Sequence, residues 1–181
     1  MNTTKLLGRY VCLFAFATFF SATAVQAQSS KHKRLIEDTE KAKTNFMRSD
    51  KQMKELFDNA YGYAIFPNIG KGAAGIGGAA GSGVVYEQGK MTGTARMKQL
   101  TVGWQIGGQA YREIIFFEDK ESLDRFRSYA YEFSAQTSAS AINDAAKVGA
   151  YTDGVLVFTQ KKTGLMYDES IGGQKFDYTD F

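Results

Sequence analysis

Few side chains in this sequence are equipped to begin covalent chemistry. Among its 181 residues one is histidine and one is cysteine. His32 lies in the basic run Lys31-His32-Lys33-Arg34, where no rigid neighbour would orient an imidazole. Cys12 lies inside an apolar stretch near the front. Nucleophile–base pairs and zinc sites built from cysteine and histidine therefore lack members. Two carboxylate pairs remain, Glu118-Asp119 and Asp168-Glu169, each beside an apolar strand. Acids there either do general acid–base work, cap a helix or face water, and nothing supplies either pair with a partner. No catalytic residue, cofactor or metal is expected.

Gly70-Lys71-Gly72-Ala73-Ala74-Gly75 matches the spacing G-x-G-x-x-G. A dinucleotide site on that motif needs a helix to begin there, so that free N–H groups meet the pyrophosphate. Here glycine continues to Gly83 and the chain runs into Val84-Val85-Tyr86, which has strand character. Half of the positions from Gly70 to Gly83 are glycine, and no G-K-[ST] is present. Glycine in a strand marks a bulge, a bend or a close backbone neighbour. Ile-Gly-Gly recurs at Ile76, Ile106 and Ile171 with unequal spacing, which suits one strand geometry used three times rather than a solenoid.

The elements around this stretch follow from periodicity and punctuation. Residues 31–58 carry Leu35, Thr39, Ala42, Phe46, Met53, Leu56 and Phe57 near one helical stripe. Ser49 with Gln52 fits a capping box and splits the segment into two helices near residue 49. Pro67 is expected to close a strand over Tyr61–Phe66. Strands follow at 72–79, 82–87, 91–97, 99–107 and 110–118, with a hairpin turn at Gln88-Gly89-Lys90. Asp119 is expected to cap a short helix from Lys120 to Tyr129. Tyr131–Phe133, Val155–Phe158, Leu165–Ile171 and Lys175–Tyr178 read as further strands, with Ala141–Val148 helical or loop. Trp104 and the tyrosines fill a core or line a pocket.

Residues 1–27 read as a secretory signal peptide. Lys5 and Arg9 precede an apolar run over Val11–Phe20, and small residues lead to Val25-Gln26-Ala27. The apolar run is short for a bilayer span. Residues 28–181 then hold no cysteine, so no disulfide is available. Export to the periplasm or envelope is the expected address. The absence of a Pro/Ser-rich linker suggests that a basic helical segment, 28–58, packs with a β-rich segment, 59–181, as one domain.

Lys5 and Arg9 account for two of the net +3 charges. What basicity remains is local. Residues 31–54 hold eight lysines and arginines against four acids. Such a helix, cations on one face and apolar residues on another, is built to lie on an anionic bilayer surface. The same stripe also suits a helix that packs on a sheet with its lysines solvated. Nucleic acid is not expected, because the strands are close to neutral.

The run from Tyr61 to Tyr178 resembles the SYLF domain in its short bacterial exported form. The resemblance rests on Ala60-Tyr61-Gly62-Tyr63-Ala64-Ile65-Phe66-Pro67, the Gly70–Gly83 stretch and Gly83-Val84-Val85-Tyr86-Glu87. It continues in Gly103-Trp104-Gln105-Ile106-Gly107-Gly108-Gln109-Ala110, Glu113-Ile114-Ile115-Phe116-Phe117 and Gly164 to Phe176. It implies non-enzymatic phospholipid binding. Eukaryotic members bind phosphoinositides through an N-terminal amphipathic helix, and some bind actin. The segment around Ala135–Ala150 is shorter than the Ala/Gly-rich insertion of many bacterial members, and actin is not expected in the compartment of an exported bacterial protein.

The expected molecule is α+β: a Gly-rich antiparallel sheet or barrel-like sandwich with N-terminal amphipathic helices and a short mid-chain helix. Its expected partner is an anionic phospholipid membrane. Lys31, Lys33, Arg34, Lys41 and Lys43 would supply charge, Leu35 and Phe46 would insert between headgroups, and Lys71 would touch a headgroup or turn to solvent. The rival reading is a self-assembling or protein-interaction module that pairs through exposed strand edges, as a homo-oligomer or with another protein.

Overall fold

A computed structural model describes residues 29–74, 76–102, 107–128, 131–133, 151–162 and 173–181. The proposed signal peptide, the expected strand Leu165–Ile171, Trp104, the Asp168-Glu169 pair and Ala141–Val148 lie outside the described residues. The chain divides into two compact units, 1–36 and 37–181. In the first, residues 29–36 are helical.

In the second unit the helix that covers 29–49, α1, continues to residue 49, and α2 spans Gln52–Asn59. The break falls where expected, but not through a Ser49 capping box: the Asp50 side chain, ahead of α2, accepts from the Gln52 N–H at 2.8 Å. Ser49 instead donates back to the Asn45 carbonyl within α1. Among the described residues seven strands follow in one antiparallel sheet: β1 Gly62–Ala74, β2 Ile76–Glu87, β3 Lys90–Val102, β4 Gly107–Phe117, β5 Tyr131–Phe133, β6 Val155–Lys161 and β7 Gln174–Asp180. Helix α3, Lys120–Arg127, sits between β4 and β5 in the chain. The order across the sheet is β5-β7-β3-β2-β1-β4-β6, and β5 and β6 form its two ends. The class is α+β, and the sheet is not closed into a barrel among the described residues.

Between residues 62 and 102 the strands are longer and fewer than the punctuation of the sequence implies. Pro67 does not end β1. The register of β1 slips between Ile65 and Asn68 against β2, and between Phe66 and Ile69 against β4, so the residue without an N–H occupies a bulge. The bulge explains part of the glycine run on the next strand. A Cβ on Gly83 would lie 2.6 Å from the Ile65 carbonyl oxygen, and one on Gly81 would lie 2.9 Å from that of Asn68. Only glycine lets β2 pass this close. The expected breaks at 80–81 and near 98 are therefore absent, and β2 and β3 each run unbroken. The hairpin turn between them does fall at Gln88 and Gly89, both with positive φ (48° and 77°), as a primed two-residue turn requires.

The sheet curls strongly. β7 lies three strand steps from β1, about 14 Å in a flat sheet at about 4.8 Å per step. Yet the Phe66 and Phe176 rings lie 5.5 Å apart. Phe126 of α3 closes on both Phe176 and Phe117, at 5.1 and 4.9 Å. The concave face is thus a core of Ala64, Phe66, Ile69, Val85, Met97, Ile115, Phe117, Val157 and Phe176, sealed by Leu123 and Phe126. The opposite face presents Tyr63, Tyr86 and Phe116 to residues 37–59. The continuous apolar run Ile114–Phe117 reflects this double burial.

Candidate functional site

The eight side chains singled out as membrane contacts do not form one surface. Lys31, Lys33 and Arg34 are exposed on the helical residues 29–36, and Leu35 is partly buried. Lys41 is exposed and makes an ion pair at 3.5 Å with Asp38 one turn away. Such a pair, open to water on both sides, contributes little to stability and leaves the charge available.

Phe46 and Lys43 are committed to the fold instead. Phe46 is only 3% exposed, and Thr39 and Ala42, on the same stripe of α1, are also buried. This stripe is core packing, so Phe46 does not stand free to enter a bilayer. Lys43 points to the convex face of the sheet. Its ammonium donates to the Tyr63 hydroxyl at 2.8 Å and lies 4.8 Å from the Phe57 ring centre and 4.9 Å from that of Tyr63. The Tyr86 ring is 5.9 Å away. Ring faces attract a cation through their quadrupole, and more so where water is partly excluded.

Glu40, one turn before Lys43, completes this dock. The Tyr86 hydroxyl donates to Glu40 at 2.9 Å, and burial, followed by that hydrogen bond, pushes the phenol well above the usual tyrosine range. Tyr63 and Tyr86 sit opposite each other on β1 and β2, with rings stacked at 4.7 Å. Two helical side chains of opposite charge thus hold two neighbouring strand tyrosines. Farther along, Gln160 of β6 donates to Ser49 at 2.5 Å and accepts from Arg112 at 3.2 Å. Sequence reasoning placed Phe57 on the apolar stripe but missed Glu40, Tyr63 and Tyr86 as its companions. The available signal was the Glu40/Lys43 spacing on the inward side of the stripe.

Lys71 lies elsewhere. It pairs in register with Ala79 of β2 and Gln109 of β4 on the concave side, and is partly buried. It does not join Lys41, Lys43 and Phe46, which belong to the convex side. The same concave face holds the buried side chains Gln99, Glu113 and Gln174. Glu113 accepts from the Gln174 amide at 3.0 Å, while burial raises its carboxyl to about 7 and that hydrogen bond opposes the rise.

The carboxylates first considered for chemistry have structural partners. Asp119 caps α3: its side chain accepts from the Ser122 N–H at 2.8 Å, and Ser122 hydroxyl reaches back to close a capping box. These hydrogen bonds hold the Asp119 carboxyl below its usual range. Glu87 accepts from the Tyr61 hydroxyl at 2.7 Å and from Arg127 at 3.0 Å, and these two contacts, in that order, lower its carboxyl. Glu118 is exposed at the chain's turn into α3. Among the described residues no three His, Cys, Asp or Glu side chains converge as a metal site, and no helix is long and apolar enough to cross a membrane.

No protein-family model matches the chain. Over 128 residues it is 34% identical to Beta cell expansion factor A of Aeromonas veronii. The match covers 68% of this chain and 48% of that protein, so the chain spans about half the length of the curated relative to which it is similar.

Proposed function

We propose that this protein is an exported SYLF-type domain that binds anionic phospholipid surfaces electrostatically and without catalysis. The observation that carries the reading is the exposed basic cluster Lys31, Lys33 and Arg34 on the helix that leads into the sheet domain. Cations beside an anionic bilayer contribute on the order of 1 kcal/mol each at moderate salt. Lys41 adds charge on the outward side of α1, and Met47, 37% exposed, is the large apolar side chain that the described part of this helix leaves outside. With Phe46 and Lys43 docked on the sheet, binding is peripheral and rests on the exposed basic residues.

The resemblance to SYLF domains supports this reading from a second side. The expected export in the periplasm or envelope brings the protein to a membrane surface. The test is co-flotation with liposomes of anionic and of neutral composition over a salt series. Binding is expected only on anionic vesicles and is expected to weaken as salt rises from low to physiological strength, where the screening length is about 8 Å. Equal flotation on both, or none on either, overturns the reading. In the second case self-assembly, read as a stable oligomer without lipid, becomes the better account.

A further inference from the structure

The concave face of the sheet carries a buried acid that neither the fold nor the membrane reading uses. Glu113 lies on β4 and is 0% exposed; Gln174 begins β7 and is 2% exposed. These strands are four steps apart in the sheet order, about 19 Å in a flat sheet. The 3.0 Å hydrogen bond from Gln174 Nε2 to Glu113 Oε2 therefore spans the mouth of the curl and ties two strands that share no ladder.

This tie is short of one donor. Glu113 Oε1 and Gln174 Oε1 are both buried and, among the described residues, both without a hydrogen-bond partner. Two orphaned acceptor oxygens in one buried pair are costly, and a charged carboxylate with a single hydrogen bond is costlier. A proton on the carboxyl supplies the missing donor and removes the charge.

We propose that Glu113 and Gln174 form a proton-operated clasp: neutral Glu113 holds β7 over β4, and its ionisation loosens the curl of the sheet.

The surroundings favour the neutral form. Glu113 is flanked in register by Phe66 of β1 and Thr159 of β6, and Gln174 by Gln99 of β3. Among the described side chains, the titratable ones on this face of the strands include Tyr111 of β4, Lys71 of β1, and Tyr178 and Asp180 of β7; the backbone register also places Lys161 of β6 and Tyr131 of β5 on this side. None of the described side chains supplies a hydrogen bond to Oε1. Arg112 and Lys175, adjacent in sequence, belong to the opposite face. Burial is the main cause that lifts the carboxyl from 4.5 to about 7, and the Gln174 amide works against it.

The sign follows by linkage. Below pH about 4.5 the carboxyl is neutral in both folded and unfolded chains, and its contribution is fully present. As pH rises toward 7 the unfolded chain ionises first, so stability falls and the loss is complete above the folded value. Across that window the unfolded-to-folded ratio of the wild type should rise on the order of a hundredfold relative to Glu113→Gln, at tenfold per pKa unit.

Two measurements on the full chain test the clasp. Carbon-13 NMR of the glutamate side-chain carboxyls in the wild type should show one resonance, absent in Glu113→Gln, titrating within a unit of 7. A midpoint below 5, or no titration up to pH 9, overturns the proposal. Hydrogen exchange, corrected for intrinsic rate, should show β7 losing protection relative to β1 between pH 5.5 and 8 in the wild type but not in Glu113→Gln. Identical pH profiles in the two proteins overturn it equally, and the NMR titration needs no variant to fold.

Discussion

Replacing Lys43 with methionine separates a docked lysine from a membrane lysine. The substitution keeps the length and apolar stem of the side chain and deletes only the ammonium. That ammonium lies over two rings at 4.8 and 4.9 Å and donates to Tyr63 at 2.8 Å. A partly desolvated cation–π contact contributes about 0.5–2 kcal/mol. A hydrogen bond from a charged donor contributes about 1.5–3 kcal/mol, offset in part because an apolar methionine is easier to bury. The net expectation is a loss of about 1–3 kcal/mol. In a domain of this size each kcal/mol moves the midpoint by about 2–4 °C, so thermal unfolding should fall by about 2–12 °C. Urea unfolding of Lys43→Met, Tyr63→Phe and the double variant should return a coupling of about 0.5–3 kcal/mol, typical of groups in contact. A loss below about 0.3 kcal/mol with no coupling would mean that the ammonium is solvated and that α1 is not docked through it.

Other outcomes follow from the same geometry. Gly83→Ala places a methyl 2.6 Å from a backbone carbonyl and 2.7 Å from the Phe66 ring, and overpacking of that kind should cost about 1–3 kcal/mol in urea unfolding. Gly70→Ala, with nothing within 4 Å of its new Cβ, should be neutral or stabilising by up to about 1 kcal/mol. Asp119→Ala removes the cap of α3 and should lower the urea midpoint, while liposome flotation stays unchanged.

Local features of the fold were legible in the sequence. The Gln88-Gly89 turn and the Asp119 cap depend on residues within a few positions of one another, and both fall where expected. Pro67 misled because an antiparallel strand absorbs a missing N–H at a bulge, and only the partner strands reveal one. Gly81 fell at an expected break, while the close backbone neighbour expected of the glycine run is what Gly81 and Gly83 meet; that this neighbour is the bulge on β1 no local pattern displays. The split between inward and outward lysines was also hidden. Lys43 and Tyr63 are 20 residues apart, Glu40 and Tyr86 are 46 apart, and helical periodicity alone does not say which strand will lie beneath a stripe. Glu113 had left a trace, an acid at the head of the apolar run Ile114–Phe117 on the phase that faces inward. Its partner Gln174 is 61 residues away and arrives only through the curl of the sheet.

The most direct test of the account is liposome flotation of two charge variants side by side. In one, Lys31, Lys33, Arg34 and Lys41 become Gln; in the other, Lys43 alone becomes Gln. The account predicts that the first variant stays folded and loses its binding to anionic vesicles, while the second is destabilised and, below its unfolding midpoint, still floats like the wild type. Retained binding in the first variant, or a selective loss of binding by folded Lys43→Gln, would contradict it.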